Sequence, residues 1–295
     1  MINGFQTMKF DVPGDVTIAA SVGGSGPPVL LLHGYPQHRY MWRHVAPALA
    51  TRYTVVVPDL RGYGESDAPE AGPDGAGYSK RAMAADQVAV MRELGHERFA
   101  VIGHDRGARV THRMCLDHPD AVVAAAVLDI VPTLRLFDDT DQAFATAYYH
   151  WFFLIQAADL PERMIGADPE YFLRTTLDRW SAPSFTYDED TLARYVAAFD
   201  TDTIRASCDD YRAAAAIDLD HDRADIDARI TCPLLVMWGR TGAMHRLYDV
   251  AATWRERATD VRDVVADCGH FLPEEAPQET LAALTTFLEE SATWS

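Results

Sequence analysis

Residues 103–107, with the sequence GHDRG, carry the strongest chemical signal in this chain of 295 residues. They have the spacing of a nucleophile elbow, a tight glycine-flanked turn between a strand and a helix that exposes one reactive side chain. Apolar residues 99–102 predict a short buried strand before the turn, and residues 106–116 predict a helix after it. Asp105 occupies the position where esterases and lipases hold serine. A carboxylate there can attack carbon and form an ester, which water then cleaves.

A lone G-x-D-x-G string usually marks only a turn, so a catalytic role needs support from other residues. Two further residues, an acid and a histidine, complete a predicted triad. Proteins with this elbow supply nucleophile, acid and histidine in that chain order, each after a strand. His270 lies late in the chain, behind a predicted strand. The loop after Gly239 offers no carboxylate, whereas Asp129 directly follows another predicted strand. We expect Asp129 to orient His270 and stabilise its charged form. The alternative is that Asp129 only caps a helix or a turn after the strand.

Two backbone N–H groups are expected to form an oxyanion hole beside the nucleophile. One belongs to the residue after the nucleophile, here Arg106, and the other to a loop that follows an earlier strand. The string HGYP at residues 33–36 comes directly after the apolar run 30–32. This order favours the N–H of Tyr35 as the second donor.

Arg106 and Arg109 lie three residues apart in the first turn of the predicted helix and therefore share one face. A cation near a helix N-terminus opposes the helix dipole at roughly 0.3–1 kcal/mol, and burial of an unpaired charge costs more. Asp105 can pair with one of the two. The forked donors of two guanidinium groups also suit the carboxylate of a ligand. The alternative is that Arg109 pairs with a structural acid elsewhere.

Composition limits the partners and the compartment that we expect. The formal net charge of -18 argues against nucleic acids and anionic membranes, and it means that an anionic substrate needs a locally cationic pocket. No apolar run is long enough to cross a bilayer, and residues 1–10 lack the features of a signal peptide, so we expect a cytoplasmic protein. The 4 cysteines are scattered, which predicts free thiols and no zinc site.

Strand and helix patterns alternate over the first part of the chain. Continuous apolar runs at 29–32, 53–57, 99–104 and 121–128 predict strands buried on both faces of a mainly parallel sheet. Residues 132–226 are mostly helical in pattern and rich in aromatic side chains, and strands return at 234–239 and 261–266. We therefore predict an α/β core domain of residues 1–131 and 227–295, and a helical cap domain of residues 132–226. The acidic residues 218–222 are expected to be solvated surface.

Seven strings, spread almost end to end, carry a family resemblance. They are HGYPQ (33–37, with Met41 and Trp42 after it), DLRGYG (59–64), GHDRGAR (103–109), LDI (128–130), YHW (149–151), DYRA (210–213) and GHFLPEE (269–275). In this combination the chain resembles the fluoroacetate (haloacetate) dehalogenases of the α/β-hydrolase superfamily. It departs from their pattern at Tyr35, where phenylalanine is more usual, and in the loop 240–245.

The resemblance implies an α/β-hydrolase fold with an inserted helical cap, and a role for each site residue. Asp105 would attack the halogen-bearing carbon of a small anionic haloacid while Arg106 and Arg109 hold its carboxylate. The leaving halide would lie among His150, Trp151 and Tyr211, whose alternative role is packing in the cap. Trp180 would stand at the substrate entrance. The resemblance also implies a homodimer, and the chemistry requires no metal or organic cofactor.

An epoxide hydrolase with the same triad is the main alternative, with Tyr149 and Tyr211 as its two cap tyrosines. Epoxides carry no carboxylate for the arginine pair, however, and relatives that act on epoxides or haloalkanes usually place tryptophan where Arg106 stands. A binding protein without activity is a further alternative. Such a protein would be expected to lose a member of the triad, whereas every candidate is present here.

Overall fold

The computed structural model describes residues 2–292 and 294, and its strands form a single sheet of eight. The strands are β1 (Gln6–Val12), β2 (Val16–Gly24), β3 (Pro28–Leu32), β4 (Thr54–Pro58), β5 (Phe99–His104), β6 (Val122–Leu128), β7 (Leu234–Gly239) and β8 (Val261–Ala266). Their order across the sheet is β1-β2-β4-β3-β5-β6-β7-β8. β2 pairs antiparallel with β1 and β4, and all other neighbours are parallel. The predicted α/β class with a mainly parallel sheet is confirmed.

Helices connect the strands and cover the sheet. They are α1 (Ala46–Leu49), α2 (Lys80–Glu93), α3 (Arg106–Asp117), α4 (Thr133–Asp138), α5 (Gln142–Ala147), α6 (Tyr149–Leu154), α7 (Leu160–Gly166), α8 (Pro169–Trp180), α9 (Glu189–Ala197), α10 (Thr201–Ala214), α11 (Ile217–Ala224), α12 (Ala243–Leu247), α13 (Val250–Arg255), α14 (Leu272–Glu275) and α15 (Pro277–Ser291). Two short 3₁₀ helices span Arg39–His44 and Pro73–Tyr78. Among the described residues, no helix is both long and apolar enough to cross a membrane.

The centre of the sheet is the hydrophobic core. Every residue of β5, β6 and β7 is buried, because helices cover both faces of these central strands. Helix α3 packs against β5 and β6. β3, β5, β6, β7 and β8 are parallel and adjacent in that order, so their carboxyl ends meet at one edge of the sheet. The segments that carry the predicted catalytic residues all begin at this edge.

Helices α4–α11 occupy the stretch between β6 and β7, as the helical pattern of residues 132–226 predicted. The division into a core domain and a cap domain stays a prediction, and Met1, Thr293 and Ser295 of the predicted core lie outside the described residues. The expectation of a solvated acidic surface is wrong at Asp218, which is buried at the start of α11. A charge pattern alone does not reveal that Asp218 meets a buried cation from another element.

Two other local differences have simple causes. Residues 41–50 have the apolar spacing of one helix, but the structure divides them between the 3₁₀ helix Arg39–His44 and α1, whose first turn contains Pro47. Proline supplies no N–H and favours a helix start, so a new helix begins there. Strand β1 was not predicted. It is an antiparallel edge strand of 7 residues, only two of which are buried, and it lacks the continuous apolar run of the central strands.

The close packing of α3 against the sheet can be tested at Gly107. A Cβ atom there would lie 2.4 Å from the carbonyl oxygen of His33 and 2.7 Å from Leu32. We expect Gly107→Ala to lower the free energy of unfolding by about 1–3 kcal/mol, because the helix must move away from the strand.

Gly166 is the matched control, since a Cβ there meets nothing within 4 Å. Gly166→Ala should change the free energy of unfolding by less than about 1 kcal/mol. Urea unfolding followed by circular dichroism measures both variants. Equal stability of the two would contradict the tight contact at Gly107.

Candidate active site

Asp105 stands in a strained turn between β5 and α3. Its φ is +48°, a left-handed conformation that costs a residue other than glycine on the order of 1–3 kcal/mol. The turn closes because its neighbours lack side chains: a Cβ on Gly103 would lie 2.4 Å from the carbonyl oxygen of Gly107. A Cβ on Gly34 would lie 2.5 Å from the Cβ of Asp105. The glycines therefore allow the backbone to present the carboxylate at the edge of the sheet.

The three predicted triad residues lie together. His270 Nδ1 is 2.6 Å from Asp129 Oδ2, and the other oxygen of Asp129 accepts a hydrogen bond of 3.1 Å from the Gly239 N–H. His270 Nε2 has no hydrogen-bond partner among the residues that the structure describes, and it lies 3.9 Å from Asp105 Oδ2. The histidine is thus fixed on one side by an acid, and its free nitrogen faces the nucleophile. This is the arrangement of a general base.

Burial and charge set the protonation of this pair. Burial lowers the pKa of His270, but the hydrogen bond and charge of Asp129, with a further contribution from Asp105, outweigh it and raise the pKa above its ordinary value. Burial raises the pKa of Asp105, but the charge of His270 opposes this most strongly. Together with smaller contributions from His104 and the two arginines it lowers the pKa of Asp105 overall. Asp105 therefore stays ionised at neutral pH, as a nucleophile must.

His104, the residue before Asp105, contacts His270. Its Nε2 lies 2.7 Å from the carbonyl oxygen of His270, and the two ring centroids are 4.6 Å apart. Burial, together with the charge of His270, lowers the pKa of His104 to about 3, so the ring is neutral and can donate from one nitrogen. Sequence reasoning missed this contact, although the position of His104 inside the elbow was a signal for it.

Of the two N–H groups expected to form an oxyanion hole, one contacts the Asp105 side chain. The Tyr35 N–H donates a hydrogen bond of 2.8 Å to Asp105 Oδ1. Among the described residues, no hydrogen bond joins the Arg106 N–H to the Asp105 side chain. The two carboxylate oxygens are therefore distinct: Oδ1 is held by a backbone amide, and Oδ2 faces His270.

Arg106 does not pair with Asp105, which the sequence left open. Its Nε donates to Asp210 Oδ2 and its Nη2 to Asp210 Oδ1, each at 2.8 Å, and Nη2 also reaches the carbonyl oxygen of Asp210 at 3.0 Å. Burial lowers the pKa of Arg106, but the charge and hydrogen bonds of Asp210 outweigh it and raise the pKa. Only Nη1 lacks a partner. Sequence reasoning missed Asp210, which lies about 100 residues from Arg106.

Arg109 is bound differently, and the alternative that it pairs with a structural acid is wrong for the described part of the chain. Its Nη1 donates to the carbonyl oxygen of Val131 at 3.1 Å and to the hydroxyl of Thr133 at 3.0 Å, and its Nε has no partner. Its guanidinium carbon lies 4.5 Å from the centroid of the Trp151 ring. Burial, followed by the charge of Arg106, lowers its pKa to about 10, so it remains a cation at neutral pH. A buried cation without a carboxylate partner favours an anionic ligand.

The three residues expected to bind halide lie in one aromatic cluster. The ring centroid of Tyr211 is 5.7 Å from that of His150 and 5.7 Å from that of Trp151. All three side chains are buried, and within the described part of the chain His150 Nδ1, Trp151 Nε1 and the Tyr211 hydroxyl have no hydrogen-bond partner. Burial lowers the pKa of His150 to about 3, so this ring is neutral. Unpaired buried polar atoms are rare in folded proteins, and three together indicate a place for a ligand.

A cavity of about 590 Å³ gives access to the site. Asp105, Asp129 and His270 line it together with His150 and Trp180. The ring centroid of Trp180 lies 4.3 Å from that of His150 and 5.4 Å from that of His270, so its indole contacts both histidines. The loop 240–245, whose role the sequence left open, supplies another part of the wall through residues 241–243.

The chain matches a known protein family over most of its length. A family model described as the alpha/beta hydrolase fold matches residues 27–277. The chain belongs to the α/β hydrolases. This α/β hydrolase is 47% identical over 293 residues to a fluoroacetate dehalogenase from Burkholderia sp, with 99% of the chain and 96% of the relative covered. It is 37% identical over 261 residues to a soluble epoxide hydrolase from Corynebacterium sp. (strain C12), with 86% and 87% covered.

Solved structures agree with the fold. The crystal structure of ALR0039 from Nostoc sp PCC 7120, a candidate α/β hydrolase, superimposes with a TM-score of 0.96 at 53% identity, and the match covers 98% of this chain and 100% of the other. Among the described residues of this α/β hydrolase, no three histidine, cysteine, aspartate or glutamate side chains are grouped so that they could hold a metal ion.

The contact between Asp129 and His270 can be tested directly. We expect Asp129→Asn to lower the pKa of His270, because the variant removes the charge and the hydrogen bond that favour the protonated ring. The pH dependence of the histidine ring resonances in NMR spectra measures this shift. Asp267→Asn is the control, an exposed acid paired with Arg240 and three residues from His270. A pKa of His270 that moves equally in both variants would contradict the assignment.

Proposed function

We propose that this α/β hydrolase cleaves the carbon–halogen bond of haloacetates such as fluoroacetate and chloroacetate, and releases glycolate and halide. One observation carries the proposal: a buried Arg109 without a carboxylate partner lies one helical turn from the aspartate at the nucleophile position. A substrate that carries both an anionic group and a displaceable halogen suits these two residues together. The identity to a fluoroacetate dehalogenase supports the same conclusion.

Substrate binding would begin at the two arginines. The free Nε of Arg109 and the free Nη1 of Arg106 would hold the carboxylate of the haloacetate. This places the halogen-bearing carbon against Asp105 and turns a bimolecular encounter into an oriented one. Trp180 would stand at the entrance to this position.

Asp105 Oδ2 would then attack that carbon in line with the departing halide. One carbon–oxygen bond forms, the carbon–halogen bond breaks, and the halide leaves with the bonding electrons. His150, Trp151 and Tyr211 would donate to the halide as its charge develops. Hydrogen bonds to a charged acceptor contribute roughly 1.5–3 kcal/mol each, so three such donors lower the barrier by several kcal/mol.

Hydrolysis of the ester would return the enzyme to its starting state. His270, oriented by Asp129, would take a proton from water, which attacks the carbonyl carbon of the ester. The Tyr35 N–H already holds Asp105 Oδ1, the oxygen that becomes the oxyanion, and the Arg106 N–H would join it in the intermediate. The glycolate oxygen would take the proton from His270 as its bond to the Asp105 carbonyl carbon breaks. The acid formed on Asp105 would release its proton to solvent, so that Asp105 is a carboxylate and His270 is neutral again. The scheme uses side chains alone and includes no metal or organic cofactor.

We also propose a domain organisation, a location and an oligomeric state. Residues 132–226 would act as a cap domain over a core domain of residues 1–131 and 227–295, since helices α6, α8 and α10 supply the halide donors and the entrance tryptophan. We further propose a cytoplasmic location with no membrane or nucleic-acid partner, which the scattered free cysteines and the net charge of -18 support. The proposed homodimer is supported by the resemblance to the haloacetate dehalogenases.

Epoxide hydrolysis remains the second candidate because of the identity to the soluble epoxide hydrolase. Two observations disfavour it. Tyr149 is 42% exposed whereas Tyr211 is fully buried, so the two hydroxyls that would have to act as a pair have different surroundings. An epoxide also leaves the charge of Arg109 without an anion.

Halide release tests the proposal. We expect fluoride from fluoroacetate and chloride from chloroacetate, and a loss of at least about a thousandfold in Asp105→Asn, which lacks the charged nucleophile. An ion-selective electrode or ion chromatography measures the product. Release of neither halide, together with turnover of styrene oxide, would replace the proposal with epoxide hydrolysis.

The covalent intermediate has its own test. In His270→Ala the first step should proceed and the second should stall, because no base activates water. Mass spectrometry of the intact protein after incubation with chloroacetate should show one added glycolyl group, and peptide mapping should place it on Asp105. The double variant Asp105→Asn with His270→Ala is the control and should stay unmodified. An unmodified His270→Ala protein would refute the ester scheme.

A further inference from the structure

Four buried side chains of alternating charge run from the site into the protein. In order they are Arg106, Asp210, Lys80 and Asp218, and none is more than 3% exposed. Asp210 Oδ1 accepts from Arg106 Nη2 at 2.8 Å and also from Lys80 Nζ. Lys80 Nζ lies 3.9 Å from Asp218 Oδ2. The positive end of this charge chain, Arg106, is beside the nucleophile.

Lys80 is in an unusual place for a lysine. It is the first residue of α2, where a cation opposes the helix dipole, and it is buried. Its backbone N–H donates to Asp218 Oδ1 at 2.8 Å, which fixes Asp218 beside it. Burial, followed by the charge of Arg106, lowers the pKa of Lys80, and the charges of Asp210 and Asp218 oppose this. The two acids belong to α10 and α11 between β6 and β7, so this ion pairing joins those helices to the α/β part.

Asp210 orients Arg106 but also cancels its charge. It occupies the Nε and Nη2 edge of the guanidinium, and its Oδ2 accepts a further hydrogen bond of 3.0 Å from the Tyr63 hydroxyl. Nη1 is left as the donor without a partner. An isolated pair of Arg106 and Asp210 would be neutral and would attract a carboxylate only weakly.

Lys80 changes this balance because it places a second cation on the same carboxylate. Arg106, Asp210 and Lys80 together carry one net positive charge. Asp218 compensates Lys80 from the far end of the charge chain, one further contact away from Arg106. Charges at this depth act over several ångströms because the interior screens them less than water does.

We propose that Lys80 is a positioning residue that determines the affinity of the site for carboxylates, through Asp210 and Arg106 and without touching the substrate. The inference rests on the proposed function in one respect: both require an anionic substrate to bind at the two arginines. The competing explanation is that the charge chain only fastens the inserted helices to the sheet.

The two explanations predict different changes in carboxylate affinity when Lys80 or Asp218 is replaced. If the electrostatic field matters, loss of the cation in Lys80→Met weakens carboxylate binding, whereas loss of the anion in Asp218→Asn leaves binding unchanged or tighter. If the charge chain is only structural, both variants loosen the site and weaken binding together.

The experiment measures the affinity of the full chain for acetate, a short carboxylate that cannot react, by titration calorimetry or ligand-observed NMR. We expect Lys80→Met to bind acetate roughly tenfold more weakly, and Asp218→Asn to bind it at least as tightly as the unaltered protein. Lys9→Met is the matched control, because Lys9 is the other lysine of the chain and is exposed on β1. It removes the same charge and should leave the affinity unchanged.

A double variant guards against misfolding of Lys80→Met. In Lys80→Met with Asp218→Asn no buried acid is left without a cation, and this protein should bind acetate more weakly than Asp218→Asn alone. Circular dichroism and thermal unfolding establish that each variant is folded.

Three results would overturn the inference: no acetate binding by the unaltered protein, equal weakening in Lys80→Met and Asp218→Asn, or a Lys80→Met affinity that matches Lys9→Met. Acetate affinity does not depend on turnover. If the variants show the expected acetate affinities but the protein releases no halide, only the proposed function is refuted. If the protein releases halide but its acetate affinity does not change in Lys80→Met, only this inference is refuted.

Discussion

The rest of this structure depends on keeping the Asp105 carboxylate ionised while it is buried. Removing a carboxylate from water is expensive unless charges and hydrogen bonds compensate, and a buried acid without them simply binds a proton. Here the compensation comes from several directions: the Tyr35 N–H holds one oxygen, His270 faces the other, and two arginines follow on the same helix. Each of these groups reaches Asp105 because parallel strands end at one edge of the sheet. The order of the strands therefore helps to keep Asp105 ionised, in addition to its role in the fold.

The two arginines share a helix face but have different surroundings. Arg106 is bound along one edge by Asp210 and keeps a single donor for a ligand, whereas Arg109 is held by neutral oxygens and keeps its charge uncompensated. An anion that binds between them gains most from Arg109. The overall negative charge of the protein, -18, repels an approaching anion, whereas the two arginines place positive charge locally on the helix that begins at Asp105.

Much of the fold and the triad was predictable because the signals are local. The continuous apolar runs identified the central strands, and the segment between β6 and β7 was recognised as helical from its pattern. Asp105, Asp129 and His270 were found from their places directly after strands, and the structure brings them together. The edge strand β1 and the boundary within residues 39–49 were missed because exposed strands and short helices have weak periodicity.

The sequence by itself determined the chemistry that is available: an aspartate at an elbow, a late histidine, an acid after a strand and two arginines in one helical turn. Only the tertiary structure decided how these groups are used. It assigned Arg106 to Asp210, left Arg109 and three aromatic donors without partners, and buried Asp218 beside Lys80. The physical reason is that the partner of a buried charge is chosen by proximity in space. Asp210 and Arg106 are about 100 residues apart in the chain, and no local pattern records which acid will reach which cation.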